Sequence, residues 1–189
     1  WDRKIGEFVD EVRERTEEDT VFIISSDHGE LLGEGGAFGH PSGSRDELLR
    51  VPIVIDGPCI DPDVVDELVQ NADLASTIAD LAGADPPSSA GGRSLMDAAT
   101  GFDGREGVFS ILSLNPLSAT YRTSDWQYVR SDDGEELFEI ENGVRSNQNV
   151  VAEYPKVRDD LRERFSLEFS NIDTEVDYPT NPEIDEEIE

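Results

Sequence analysis

The chain has 189 residues, and its 44 acidic residues outnumber its 15 basic ones to give a formal net charge of −29 at pH 7. A field of that sign repels nucleic acid and anionic membrane surfaces, so we expect neither as a partner. It also repels a sulfate or phosphate ester unless a bound metal ion reverses the sign locally. One cysteine, Cys59, excludes an internal disulfide, and no apolar run is long enough to span a membrane.

The first segment predicts an amphipathic helix that leads into a buried strand. Residues 1–16 carry apolar side chains at the spacing of one helix face. Residues 21–24 are consecutive apolar residues, mostly β-branched or aromatic, and predict a strand buried on both faces. A helix followed by a strand is half of a β-α-β unit, so we expect a preceding strand upstream of Trp1. We therefore interpret the chain as a fragment, a degenerate copy or one piece of a split protein.

Asp27 and His28 stand directly after the predicted strand. Because ligands of open α/β sheets bind at the carboxyl ends of strands, this pair is a candidate site for one divalent metal. The alternative is an ordinary hydrogen-bonded turn, and two ligands are too few for a hard cation, which takes about six. A glycine-rich loop of about 18 residues follows and contains His40, the other histidine of the chain. Loops of that length are usually functional.

The middle of the chain predicts a short strand and a helix. Residues 47–50 predict a turn of helix, and residues 51–55 predict a second buried strand. Arg50 is expected to anchor an acidic residue rather than contact a substrate. Residues 74–81 predict a helix with Asn71 or Asp73 as its N-cap. Its expected core stripe consists of Leu74, Ile78 and Leu81.

From residue 107 the pattern changes to short alternating strands. Strands are predicted at residues 107–112, 119–123, 127–130 and 136–140, with a hairpin turn at residues 132–134. A helix to about residue 169 follows, with Val157, Leu161 and Phe165 on one face. The acidic residues 173–189 predict disorder. We thus expect an α/β unit over residues 1–100, a small antiparallel sheet with a helix over 101–169, and an acidic tail over 170–189.

The glycine-rich loop and its flanks resemble the sulfatase family of the alkaline phosphatase superfamily. The residues that carry the resemblance are Ser25, Asp27, His28, Gly29, Glu30, Leu32, Gly33, Glu34, Phe38, Gly39, His40, Glu47, Arg50, Val51 and Pro52. Residues 73–83, the turn at 92–95 and the strands between 121 and 152 are similar to later elements of that family. The resemblance implies an α/β fold: the C-terminal part of an alkaline-phosphatase-like α/β sandwich, plus a small antiparallel sheet and a C-terminal helix.

In the resembled family, one divalent cation binds the sulfate group. Asp27 and His28 match the pair of metal ligands after this strand, so the resemblance implies that they bind the metal. It implies calcium, with manganese or zinc as alternatives, because imidazole suits transition metals better. His40 stands where many sulfatases carry a sulfate-binding lysine, which implies a catalytic histidine.

Three positions depart from the resembled pattern. His40 replaces the frequent lysine and Gly35 replaces a frequent histidine, so the choice between sulfate and phosphate stays open. Cys59 lacks the Cys-x-Pro/Ala-x-Arg pattern of the sulfatase nucleophile, and we predict that it is not catalytic.

Three functions follow from the resemblance. The first is a metal-dependent hydrolase of sulfate esters, and the second is a phosphate-ester or phosphonate hydrolase or phosphotransferase of the same superfamily. The third is a non-catalytic remnant or binding module. Because the nucleophile belongs to the family's N-terminal half, we predict no turnover by this chain alone. An N-terminal half or a second copy is expected to cover its exposed sheet edge.

The source and compartment can also be predicted. Lys4 and Lys156 are the only lysines, and carboxylates occur along the whole chain. This pattern resembles proteins of salt-loving microbes and predicts a haloarchaeal source. We expect a cytoplasmic location.

Overall fold

The N-terminal region is built from helices and two small sheets. The computed structural model describes residues 2–16, 19–41, 43–58, 60–86, 91–98, 105–114 and 117–170. In chain order this region contains α1 (Asp2–Arg15), β1 (Phe22–Ile24), β2 (Leu31–Leu32), a 3-10 turn (Glu34–Gly36), β3 (Phe38–Gly39), α2 (Asp46–Leu49), β4 (Val54–Asp56), α3 (Ala72–Leu81) and α4 (Leu95–Ala98). Most of these elements lie where the residue pattern predicts them.

The two small sheets are each a single antiparallel pair. Strand β1 pairs with β4, with Ile23 opposite Ile55, and β2 pairs with β3. The β1 residues are only half-buried, so the prediction of burial on both faces is wrong. The second predicted strand begins late because Pro52 has no N–H to donate to a ladder, and regular pairing starts at Val54.

The predicted core stripe of α3 is wrong for Ile78 and Leu81, whereas Leu74 is partly buried and packs against Leu95. Ile78 and Leu81 are 55% and 37% exposed, whereas Asp73, Ser76, Thr77 and Ala79 are buried. The buried face is polar because it contacts backbone: Ser76 Oγ donates to the carbonyl of Gly92 at 3.0 Å, and the Leu95 N–H donates to Thr77 Oγ1 at 2.9 Å. Hydrogen bonds to the turn at residues 92–95 therefore decide which side of this helix faces inward.

The C-terminal region is a five-stranded antiparallel sheet covered by a helix. Its elements are β5 (Val108–Leu114), β6 (Leu117–Arg122), β7 (Trp126–Ser131), β8 (Gly134–Glu141), β9 (Val144–Arg145) and α5 (Pro155–Ser170). The strands are adjacent in chain order, and Ser131 pairs with Gly134 across the predicted hairpin turn. The antiparallel sheet and the C-terminal helix are thus confirmed.

The main hydrophobic core lies between this sheet and α5. Leu161 and Phe165 of the helix pack on the sheet, as their spacing predicts. The buried members of the core are Ala119, Tyr121, Tyr128, Leu137, Val150, Leu161 and Phe165. Cys59 and residues 171–189 lie outside the described residues. The division near residue 100 and the cytoplasmic location stay predictions.

Glu135 on β8 joins the sheet to α5 through charged hydrogen bonds. Arg162 Nε and Nη2 donate to its two carboxylate oxygens at 2.6 and 2.5 Å, and the Tyr128 hydroxyl donates at 2.6 Å. Arg130 adds a contact at 3.0 Å. The Arg162 hydrogen bonds lower the pKa of Glu135 to about 2, and burial with this carboxylate raises the pKa of Tyr128 to about 12.

Glu135→Gln is expected to lower the free energy of unfolding by about 2 kcal/mol at pH 7. A carboxylate with a depressed folded pKa stabilises the fold above its unfolded pKa of 4.5, and this contribution is lost as the pH falls toward 2. The difference between wild type and variant should therefore be constant from pH 7 to about 5 and shrink by pH 3. Urea unfolding at each pH measures it. A difference that does not change with pH would contradict this account.

Among the residues that the structure describes, none of the helices combines the length and the apolar character needed to cross a bilayer.

Candidate functional site

The segment after β1 forms a tight turn that presents Asp27 and His28. Ser26 Oγ donates to the carbonyl of His28 at 2.7 Å, and the His28 N–H donates to Asp27 Oδ1 at 3.0 Å. The Gly29 N–H donates to the Leu48 carbonyl at 2.8 Å. A Cβ at Gly29 would lie 1.9 Å from the carbonyl oxygen of Glu47, so only glycine allows the turn to approach α2 this closely.

The β2–β3 hairpin brings His40 back beside His28. In its register Leu31 pairs with Gly39, which places Glu30 opposite His40. The two imidazole rings lie 4.5 Å apart between centroids, and the His40 Nδ1 lies 3.2 Å from Glu30 Oε2. The structure therefore brings both histidines of the chain close together, beside the carboxylate of Glu30.

The hydrogen-bond acceptors beside the two imidazole rings determine which ring nitrogen carries a proton. His28 Nδ1 lies 2.7 Å from the carbonyl oxygen of Gly29, which can only accept, so this nitrogen carries a proton. His40 Nδ1 likewise donates to the Glu30 carboxylate. In the neutral form each Nε2 is left with a free lone pair, the atom that imidazole offers to a metal.

Asp27 and His28 shift each other's pKa. The His28 backbone N–H, followed by His28's charge, lowers the pKa of Asp27. The Gly29 carbonyl, followed by the charge of Asp27, raises the pKa of His28. Asp27 Oδ2 lies 3.8 Å from His28 Nε2, and both side chains are exposed. Asp27 is thus an ionised carboxylate facing the free nitrogen of the imidazole.

The donor set at this position fits a divalent metal. One donor atom from each of His28, Glu30 and His40 lies within 4.8 Å of the other two. Within the described part of the chain, these three side chains are the group of metal-ligating residue types that lie close enough together to share one ion. Two imidazoles and a carboxylate are ligands that suit manganese, zinc or iron. The predicted ligand Asp27 lies beside this cluster, with its Oδ2 3.8 Å from His28 Nε2. The predicted metal pair of Asp27 and His28 and this cluster therefore share His28.

The loop after His40 is attached to the C-terminal sheet by a network around Asp46. Arg122 of β6 contacts Asp46 Oδ1 at 2.5 Å, and the Arg145 N–H donates to Asp46 Oδ2 at 2.9 Å. Gln127 Nε2 donates to the Ser44 carbonyl at 2.8 Å. Arg50 donates to the Gly143 carbonyl at 3.1 Å, a structural role as predicted but with a carbonyl partner. The antiparallel sheet therefore positions the loop that carries His40.

A cleft opens beside the histidines, between the two regions of the chain. Its volume is about 1140 Å³, and its lining includes Asp27, His28, His40, Asn71 and Arg122. Asn71 is the N-cap residue of α3, one of the two predicted positions, but its side chain makes no capping hydrogen bond. Its Nδ2 donates to the Ser26 carbonyl at 2.9 Å, which ties α3 to the turn before Asp27. The cluster is thus accessible to a small molecule.

Comparison with known proteins shows which family this chain is similar to. Residues 1–84 match the family model "Sulfatase". Choline-sulfatase of Rhizobium meliloti is 35% identical over 164 residues, which are 82% of this chain and 31% of the relative. The comparisons support the sulfatase family, in the alkaline-phosphatase-like group. The chain spans about a third of the length of the curated sulfatases that it matches.

Solved structures support the predicted fold of this chain. A phosphonate monoester hydrolase from Silicibacter pomeroyi superposes with a TM-score of 0.75 at 27% identity, over 92% of this chain and 39% of that one. A Bacteroides fragilis protein described as a sulfatase reaches a TM-score of 0.77 at 18% identity, over 90% of this chain and 40% of its own, which is evidence on the fold alone. The predicted fold class is confirmed.

Sequence reasoning missed Glu30 as a member of the sulfatase-like site. It had singled out Asp27, His28 and His40, and the structure brings these three together. The signal for Glu30 was the hairpin register, because alternation around the glycine-rich turn places residue 30 opposite residue 40. The metal-binding and catalytic roles of these residues stay predictions.

Proposed function

We propose that this chain supplies the metal-binding and ester-contacting part of a metal-dependent hydrolase of sulfate esters. The observation that carries the proposal is the cluster of His28, Glu30 and His40 beside Asp27 at the end of β1. Sulfatase relatives support a sulfate ester as the substrate class. The accessible cleft beside the cluster supports a small-molecule ester.

In this proposal Asp27 and His28 hold the metal. Asp27 contributes an ionised carboxylate, and His28 contributes Nε2, because its Nδ1 proton is held by the Gly29 carbonyl. A divalent metal held there would polarise an ester oxygen and offset the negative field of the protein. The contact of Gly29 with the Leu48 carbonyl keeps the two ligands in a turn that cannot easily relax.

His40 contacts the ester in this proposal, and Glu30 is its positioning residue. The Glu30 carboxylate accepts from Nδ1, which orients the ring. With a proton on Nε2 as well, His40 would donate a hydrogen bond to an ester oxygen or to the departing alcohol oxygen. The 4.5 Å separation of the rings puts this donor next to the proposed metal ligand.

The donor chemistry favours manganese or zinc over the calcium that the resemblance implies. Imidazole is a poor ligand for a hard cation that prefers oxygen, and one of the two proposed ligands is the imidazole of His28. We therefore propose a transition metal as the resident ion.

A phosphate-ester or phosphonate hydrolase is the second candidate function. The structural likeness to a phosphonate monoester hydrolase favours it. The same residues would bind either ester, because sulfate and phosphate groups are both tetrahedral anions with polarisable oxygens.

Calorimetric titration of methyl sulfate into the manganese-loaded chain tests the proposal. We expect binding that disappears after treatment with EDTA and returns when manganese is restored. Methyl phosphate serves as the competing probe, and tighter binding of it would favour the second function. Methyl sulfate binding that is unaffected by EDTA would contradict the proposed metal site.

A further inference from the structure

The side chain of Asn71 reaches from the start of α3 to the turn that carries Asp27. Its Nδ2 lies 2.9 Å from the carbonyl oxygen of Ser26 and 3.5 Å from that of Asp27. Its Oδ1 lies 3.4 Å from the hydroxyl of Ser25. Carbonyl oxygens only accept hydrogen bonds, so the NH2 group of Asn71 faces them and its oxygen faces the hydroxyl. Both ends of this side-chain amide therefore contact one short segment that is distant in the chain.

These contacts hold the peptide groups on both sides of the Asp27 α-carbon. The carbonyl of Ser26 belongs to the peptide group before that carbon, and the carbonyl of Asp27 belongs to the peptide group after it. Because peptide groups are planar, anchoring them restricts the two backbone dihedral angles between them, and with these the direction of the Asp27 side chain. Asn71 thus restrains the turn from its N-terminal side, whereas the hydrogen bond from Gly29 to Leu48 restrains it from the other side.

Helix α3 does not use the Asn71 side chain for its own cap. An asparagine at the N-cap position commonly accepts an N–H of the first turn. Here the Asn71 backbone is itself helical, at φ −58° and ψ −28°, and its side chain makes no capping hydrogen bond. The N–H groups of Asp73 and Leu74 donate instead to the carbonyls of Gln70 and Asn71, at 2.9 and 3.0 Å. Truncation of Asn71 therefore removes the link to the turn without removing a helix cap.

We propose that Asn71 is a positioning residue for the metal-binding pair Asp27 and His28. This inference rests on the proposed function, in which those two side chains hold a divalent metal. Their ligand atoms, Asp27 Oδ2 and His28 Nε2, lie 3.8 Å apart, and both side chains are exposed. Packing alone therefore does not hold this spacing, and the hydrogen bonds of the turn have to maintain it. Asn71 acts on the metal through the Asp27 backbone and not by contact with the ion.

Manganese titration and amide hydrogen exchange of Asn71→Ala test the inference. We expect the dissociation constant for manganese to rise about tenfold, the lower end of the effect of losing a partner that orients a metal ligand. Hydrogen exchange gives a second readout that needs no metal. The His28 N–H, which donates to Asp27 Oδ1, should exchange faster in the variant. The Gly29 N–H, which donates to the Leu48 carbonyl, should change little.

Two further variants serve as controls. Asn147→Ala truncates an exposed asparagine in the segment after β9, and it should leave both the manganese affinity and the exchange of the His28 amide unchanged. Asn71→Asp keeps the size of the side chain but has no donor for the Ser26 carbonyl, so it should lose manganese affinity as Asn71→Ala does. A residue that bound the metal directly would instead gain affinity from the added carboxylate.

The outcomes separate the inference from the proposed function. If Asn71→Ala bound manganese as tightly as the wild type, the inference alone would be wrong. If Asn71→Asp bound it at least as tightly as the wild type, Asn71 would be a metal ligand and not a positioning residue. Equally faster exchange at His28 and Gly29 would show general loosening of the turn and would also overturn the inference. Absence of manganese binding to the wild type would refute the proposed function, and the inference with it.

Discussion

Asp73→Asn is expected to lower the free energy of unfolding by about 3 to 5 kcal/mol. Asp73 is fully buried, and its carboxylate accepts both Nη atoms of Arg105 at 2.5 and 2.8 Å. It also accepts the N–H of Gln70 at 2.8 Å and of Arg93 at 2.9 Å. In Asp73→Asn the side chain has no charge, and its NH2 group faces N–H groups that themselves need an acceptor. The buried guanidinium of Arg105 also loses this carboxylate.

The expected loss is large because Asp73 connects three separate segments. It joins the start of α3, the turn at residue 93 and the segment before β5. Urea unfolding followed by circular dichroism measures the effect. Asp80→Asn is the matched control, since Asp80 is exposed on the same helix and accepts one hydroxyl, and should cost less than about 0.5 kcal/mol.

A second variant separates loss of the ion pair from general damage. Replacing both partners, as Asp73→Leu with Arg105→Met, should recover only the part of the loss due to the buried charge, because the N–H groups of Gln70 and Arg93 still lose their acceptor. If Asp73→Asn cost no more than Asp80→Asn, the buried carboxylate would not be the connection that we describe.

His28→Ala is expected to weaken manganese binding by at least about 100-fold, since loss of a mere outer-shell partner of a ligand already costs 10- to 100-fold. His28 supplies the imidazole Nε2 closest to the Asp27 carboxylate, at 3.8 Å from Oδ2. The variant also removes the ring whose centroid lies 4.5 Å from that of His40. Electron paramagnetic resonance of free manganese during a titration measures the dissociation constant, and calcium competition reports the preference between the two ions.

His40→Ala is the matched control for the metal ligand. In the proposed arrangement it should keep the manganese affinity within about threefold and weaken methyl sulfate binding by about tenfold, the value of one charged hydrogen bond. If His40→Ala lost manganese as strongly as His28→Ala, His40 would be a metal ligand and its proposed ester contact would be wrong. If neither variant changed manganese binding, the metal would bind elsewhere.

Local patterns predicted most of the elements. The helix pattern of residues 1–16 and the alternating strands after residue 107 correspond to α1 and to the five-stranded sheet. The face of α5 that carries Leu161 and Phe165 was also predicted correctly. The successes in the C-terminal region have one cause: the sheet and α5 bury apolar faces against each other, and apolar periodicity reports that burial directly.

One error occurs where the buried side chains are polar. The sequence pattern predicts Leu74, Ile78 and Leu81 as the core stripe of α3, yet Ile78 and Leu81 are exposed and Thr77 and Asp73 are buried. Their partners, Leu95 and Arg105, lie 18 and 32 residues away in the chain. A hydrophobic pattern carries no information about hydrogen-bond partners at that separation, so the stripe could not have been predicted from it.

The sequence by itself determined the negative field, the order of the elements, and a short motif that places Asp27 and His28 at the end of a strand. Only the tertiary structure decided that Glu30 meets His40, because that contact depends on hairpin register. Only the tertiary structure attached the His40 loop to the sheet, through Asp46 and Arg122, which are 76 residues apart. The residue types and the spacing of apolar residues specify which face of each helix or strand is apolar. Which two faces come into contact depends on the packing of the whole chain.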